Sequence, residues 1–314
     1  MGTGQSSTHS SLPENPVLLA FAVGTLLAGA NAVAVRFTVA ELPPFWGAGL
    51  RFAGAALVLW LIALARRTPL PPRRVVPGLM VYGAFAFGAT FAFAYWGLKT
   101  VEAGLGQVLL ALAPLFTFFF AFFHRLEAFR WQGLLGALIA TGGIAISFFE
   151  HPAGMGSALP MLAIIAGAAC LAESVVLLKR LPTVDPVMTN AVAMSTGGGG
   201  LLILSLLAGE SWKLPTRLST WLSIAYLVIF GSVVVFGLFV FVIRRWTASA
   251  SSYQLVLMPF VTVLLGAWLR GEHINGGLVI GGALVLLGVW VGALFHPTRR
   301  PAPMAARTAE GEAD

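Results

Sequence analysis

Apolar residues run through this chain in long, unbroken stretches separated by short polar punctuation. Ten such stretches recur, at 17–39, 44–65, 75–98, 101–123, 131–149, 158–179, 186–208, 218–243, 247–269 and 274–295. A helix rises about 1.5 Å per residue, so runs of about 18 residues or more can cross a hydrocarbon layer roughly 30 Å thick. The runs are continuous rather than alternating, which excludes the dyad pattern of barrel strands. The pattern predicts an all-α membrane protein with ten transmembrane helices, and its short loops leave no room for a soluble domain.

The stretches also repeat. Shifted by 145 positions without a gap, Ala103 falls on Ala248, Leu110 on Leu255, Pro114 on Pro259 and Thr117 on Thr262. Arg125 then falls on Arg270, Glu127 on Glu272, Gly136 on Gly281 and Gly143 on Gly288. A shift of 142 lays Pro44 over Pro186 and Asn31 over Glu173. Each half holds five spans, and an odd number forces the second half to enter the membrane the opposite way up. The expected architecture is therefore two inverted five-helix repeats, 17–149 and 158–296, a plan common among secondary transporters. Residues 1–16 form a cytoplasmic N-terminal segment in this reading, and 297–314 a disordered cytoplasmic tail.

Composition agrees. The chain is 58% hydrophobic and 10% charged with a mean hydropathy of +0.88, whereas soluble domains carry roughly 25% charged residues. The net charge of +7 and pI near 10.3 invite a nucleic-acid partner, but the distribution of charge says otherwise. With the N-terminus inside, inner segments hold 13 Lys and Arg, outer segments and helix ends five, and Arg51 lies within a span. That bias orients the protein, with both termini cytoplasmic, and removes the reason to expect nucleic acid. Cys170 stands alone, so neither a disulfide framework nor a cysteine metal site is expected. Residues 1–16 lack Lys and Arg, so the first run reads as a retained helix rather than a signal peptide.

Polar and aromatic residues inside the spans are the candidate site. Glu173 lies well inside span six, where an ionised carboxylate is costly. It either exchanges protons or binds a substrate amine in a cavity, or it snorkels toward Lys179 and Arg180. Arg51, about two turns into span two, either binds a substrate carboxylate or holds helix-end carbonyls. Asn31, Gln107, Tyr253 and Gln254 are neutral polar residues in spans; such groups also bond neighbouring helices. In span three, Ala84, Gly88 and Ala92 form a small stripe, while Tyr82, Phe93 and Trp96 fall near one face and suit either an aromatic cavity wall or contact with lipid. Pro114 and Pro259 each free a mid-membrane carbonyl and are hinge candidates. No HExxH, GxSxG or phosphate-loop motif is present, so neither catalysis nor a bound metal or cofactor is expected.

The segments LAPLFTFFFAFFHRLEAFRWQGLLGALIATGGI, LMPFVTVLLGAWLRGEHINGGLVIGGALVLLGV and LPPFWGAGLRFAGAAL resemble the drug/metabolite transporter superfamily, specifically its ten-helix EamA-type carriers. The resemblance covers about 17–296 and places Arg51 at the arginine usual in the second helix. It implies a central cavity between the halves and alternating access, with no cofactor. Within the family the likeness runs toward bacterial exporters of aromatic amino acids. The expected function is thus export of amino acids, aromatic or otherwise apolar, and related metabolites across a bacterial inner membrane. The expected partners are the small-molecule substrate and membrane lipid, with the protein acting as a monomer. Export of hydrophobic drugs or cations is the alternative, and an intramembrane enzyme a remote one.

Overall fold

The computed structural model describes residues 15–126, 129, 131–149, 158–245 and 248–294. Among them the chain is entirely helical. The ten helices are α1 (Asn15–Val39), α2 (Pro44–Ala65), α3 (Val76–Gly97), α4 (Ala103–Phe123), α5 (Trp131–Phe149), α6 (Ala158–Arg180), α7 (Pro186–Leu207), α8 (218–245), α9 (Ala248–Arg270) and α10 (276–294). Backbone amides in hydrocarbon have no water to turn to, so each span satisfies its own groups as a helix. Seven of the helices are long and apolar enough throughout to cross a membrane, and three shorter apolar stretches lie in α5, α9 and α10.

The duplication is written into the helix boundaries. α2 and α7 are both 22 residues long, begin on Pro44 and Pro186, and lie 142 positions apart. Proline suits that first turn because its missing N–H would have no intrahelical acceptor there. Both end in the same way, with Arg67 (φ 52°) and Gly209 (φ 66°) left-handed, and with Thr68 and Glu210 donating back to the Ala63 and Ser205 carbonyls. Trp131 and Gly276 open α5 and α10 at the 145-residue offset. The third helix of each half contains a π-helical segment, Ala84–Ala89 in α3 and Ile229–Val234 in α8, again 145 residues apart.

The two halves interlock rather than sit side by side. α2 packs on α7 and α5 on α10, while α1 lies against α8 and α9 and α6 against α3 and α4. Lipid tails are as apolar as leucine, so such crossings depend on close van der Waals contact between small residues. A Cβ on Gly136 would sit 2.3 Å from the Gly288 carbonyl oxygen, and one on Gly143 2.5 Å from that of Gly281. A Cβ on Gly198 would stand 3.0 Å from the Ala53 nitrogen, and one on Gly83 2.3 Å from the Ala193 carbonyl. In α3 the tight crossing thus falls on Gly83, with Gly88 facing Gly197 beyond it, while Ala84 of the expected small stripe is exposed.

The paired prolines differ in conformation. Pro114 follows a break in α4, where the helix stops at Leu110 and restarts at Ala113, whereas Pro259 lies inside an uninterrupted α9.

These contacts make an expectation. Gly136→Val should destabilise the folded protein by about 1–3 kcal/mol through overpacking at the α5–α10 crossing. Gly142→Val faces open space and should change stability by no more than about 0.5 kcal/mol. Thermal unfolding of both variants in detergent checks this.

Candidate functional site

Between the halves lies a cavity of about 300 Å³ lined from α1, α2, α3, α7, α8 and α9. Its walls are mostly apolar, with Phe52, Phe87 and Phe91 prominent, and its polar lining comes from Asn31, Arg51, Tyr82, Asn190 and Ser232. Among the described lining residues Arg51 alone carries a charge. That is the usual build of a small-molecule site, apolar walls with few polar groups.

Arg51 is 3% exposed. A guanidinium stays protonated, so burying it requires partners. It donates through Nη2 to the Gly231 carbonyl at 3.2 Å and through Nε to Ser232 Oγ at 3.3 Å. Its carbon centre lies 4.9 Å from the Phe52 ring and 5.0 Å from the Phe91 ring, which meets the cation with aromatic faces. Nη1 makes no hydrogen bond within 3.5 Å, and the buried Tyr95 hydroxyl lies within interaction range of the guanidinium. Gly231 belongs to the π segment of α8 and also accepts from Asn31 Nδ2 at 3.3 Å. A side chain there would strike Asn31, whose Oδ1 would lie 2.3 Å from a Cβ on Gly231.

Tyr82 lines the cavity and meets Phe87 edge-on at 6.1 Å. Phe93 and Trp96 do not line it and lie on the exposed face of α3. The cause is the π segment between them and Tyr82. Its wider turn shifts the helical phase by about one residue, so Phe87 and Phe91 take the cavity face instead. Gln107 is buried in α4 and is absent from the lining. Glu173 also lies away from the cavity, its Oε1 3.0 Å from His124 Nε2, and Arg180 donates to the His124 carbonyl at 2.9 Å. The side chains of Tyr253 and Gln254 lie outside the described residues. The sequence pattern did not single out Phe52, Phe87, Phe91, Asn190 or Ser232; an asparagine inside an apolar run was the one signal available for Asn190. Among the described residues no cluster of His, Cys, Asp and Glu could hold a metal ion.

One end of the bundle is closed by carboxylates that cross between the halves. Glu210 accepts from the Phe45 and Trp46 amides at the start of α2, at 3.2 and 2.8 Å, and from Ser205 Oγ at 2.7 Å. Glu272 accepts from the Ala103 amide at the start of α4 at 2.9 Å and pairs with Arg36 Nε at 3.3 Å. Arg36 in turn donates to the Leu98 and Lys99 carbonyls. Glu41 accepts from the Thr216 hydroxyl at 2.7 Å and the Arg217 amide at 3.2 Å, at the start of α8. Each carboxylate meets orphan N–H groups at the positive end of a helix dipole.

Comparison with known proteins agrees with this architecture. The chain belongs to the EamA-like transporter family, whose model matches residues 15–149 and 158–293 in turn. It is a membrane transporter built as two repeated halves. An inner membrane transporter of Escherichia coli (strain K12), YedA, named as uncharacterized, is 28% identical over 84% of this chain and 88% of its own length. An uncharacterized transporter of Synechocystis is 26% identical over 91% and 92%. The S-adenosylmethionine/S-adenosylhomocysteine transporter of Chlamydia trachomatis is 24% identical over 78% and 79%. A crystal structure 22% identical shares the fold, with a TM-score of 0.61 over 89% of this chain and 96% of its own.

The Thr220 and Thr216 hydroxyls and the Thr216 amide hold the Glu41 carboxyl at about 2, against an ordinary 4.5. A depressed folded value means that the contribution is complete above the unfolded value, near 4.5, and fades as pH falls toward 2. The stability gap between wild type and Glu41→Gln should therefore stay level from pH 7 to about 5 and narrow steadily below about 4.5. Melting temperatures of the two proteins across that range test it.

Proposed function

We propose that the protein exports amino acids with aromatic or other apolar side chains, and related carboxylate-bearing metabolites, across the bacterial inner membrane by alternating access. One observation carries this reading: the charged lining group of the inter-half cavity is an arginine whose Nη1 is not engaged in a hydrogen bond, set among phenylalanine rings. A carboxylate gains charge-assisted hydrogen bonds there and an apolar side chain gains ring contacts. A cationic drug would instead meet an unneutralised guanidinium and no described acidic group in the lining, which disfavours that alternative. Support also comes from the relative named for S-adenosylmethionine and S-adenosylhomocysteine, since both molecules carry an α-amino acid group.

With both termini cytoplasmic, the Glu41, Glu210 and Glu272 contacts close the outer end. Release outward then requires those carboxylates to leave their helix starts while the halves rock about the cavity. Pro114 and Pro259, broken in one half and continuous in the other, are the hinge positions in this scheme.

The test is counterflow in proteoliposomes with a panel of aromatic amino acids and hydrophobic cations. Wild-type protein should exchange the amino acids. Arg51→Gln should weaken their half-saturation by about tenfold or more, the cost of losing hydrogen bonds to a charged group, about 1.5–3 kcal/mol. Exchange of cations alone, or amino-acid exchange unaltered by Arg51→Gln, would overturn the proposal.

A further inference from the structure

Arg51 and Asn190 both line the cavity but at different levels, and their separation carries information about what lies between them. α2 and α7 pack side by side, with Gly49 against Leu202 and Gly198 against Phe52 and Ala53. That register is antiparallel and puts Arg51 level with Gly200. Asn190 is ten residues further along α7, roughly 15 Å away at the helical rise. Rings connect the two levels: Phe91 packs on Phe52 at 4.6 Å, Phe52 on Phe87 at 5.3 Å, and Phe87 on Tyr82 at 6.1 Å.

Asn190 is 2% exposed and lines the cavity. Its Nδ2 donates to the Pro186 carbonyl at 2.8 Å, which fixes the amide plane. Its Oδ1 has no partner. A buried acceptor left unmade is costly, and a site that offers one discriminates strongly between a ligand with a donor and its analogue without one.

We propose that Asn190 is a specificity residue that accepts a hydrogen bond from a donor at the far end of the substrate. The substrate class is then an elongated aromatic amino acid, with its carboxylate at Arg51, its ring along Phe52 and Phe87, and a distal hydroxyl or ring N–H at Asn190. This rests on the amino-acid reading above and adds a preference within it. The two residues stand at backbone levels roughly 15 Å apart, which calls for an elongated molecule. Tyrosine carries a phenol donor at the end opposite its carboxylate, while phenylalanine leaves Oδ1 unmet.

The experiment is competition counterflow of tyrosine against phenylalanine in wild type and in Asn190→Leu, which keeps the branched outline and has no acceptor. Wild type should prefer tyrosine by about tenfold or more. Asn190→Leu should carry phenylalanine at least as well as wild type and lose the preference. Retained phenylalanine exchange also shows that the variant is folded. If Asn190→Leu carries neither substrate, Asn190→Asp, which keeps an acceptor oxygen, is measured instead, and loss of the tyrosine preference there would overturn the proposal. A tyrosine preference unchanged by Asn190→Leu, or absent from wild type, removes the role of Asn190 and leaves amino-acid export standing. Wild-type vesicles that exchange neither amino acid remove the amino-acid reading itself.

Discussion

Helices in hydrocarbon gain little by hiding apolar surface from lipid, and the way the two halves of this protein pack follows from that constraint. Within the membrane the halves are held by close approach, made possible where a glycine removes the Cβ that would otherwise hold backbones apart. Gly136 and Gly143 bring α5 onto α10, Gly198 brings α7 onto α2, and Gly83 brings α3 onto the Ala193 backbone. Each of these crossings joins the first half to the second. The interface is therefore the core of the molecule, and the cavity is the part of it that glycine packing leaves unfilled.

Arg51 is compatible with that interior because α8 supplies what a regular helix withholds. The π segment at Ile229–Val234 presents the Gly231 carbonyl to both Arg51 and Asn31, and Ser232 adds a hydroxyl. Aromatic faces from α2 and α3 complete the surround. The arrangement is not symmetric. The cavity takes residues from α1 and α9 but none from α6 and α4, their counterparts in the other half. Asn31 accordingly lines the cavity, while Glu173, its repeat equivalent, pairs with His124. The broken α4 beside Pro114 and the continuous α9 through Pro259 show the same departure from symmetry.

Much of the architecture was legible in the sequence because it is local. Runs of apolar residues specify spans, and the offsets of 142 and 145 reappear in helix ends and in both π segments. Arg51, Asn31 and Tyr82 drew attention as polar or aromatic residues within spans, and all three line the cavity. The exchange of Phe93 and Trp96 for Phe87 and Phe91 was not legible. It depends on a one-residue phase shift that periodicity, assuming a uniform helix, does not contain. The Glu173–His124 contact and the caps by Glu41, Glu210 and Glu272 join distant parts of the chain. No spacing rule announces such pairs. Asn190, a single neutral residue four positions into α7, looks like ordinary helix-end chemistry until its unpartnered Oδ1 is seen.

Central to the proposed transport is that an amino-acid substrate binds in the space between the halves. Met194 lines that space, and Cys170, which does not, is the chain's one cysteine. A single reporter thiol can therefore be introduced as Met194→Cys in a Cys170→Ser background. The measurement is the rate at which a small water-soluble thiol reagent modifies that position, with and without a saturating aromatic amino acid. The account predicts modification in the free protein and marked slowing by the amino acid, with the slowing lost when Arg51→Gln is added. A rate indifferent to the amino acid would contradict it.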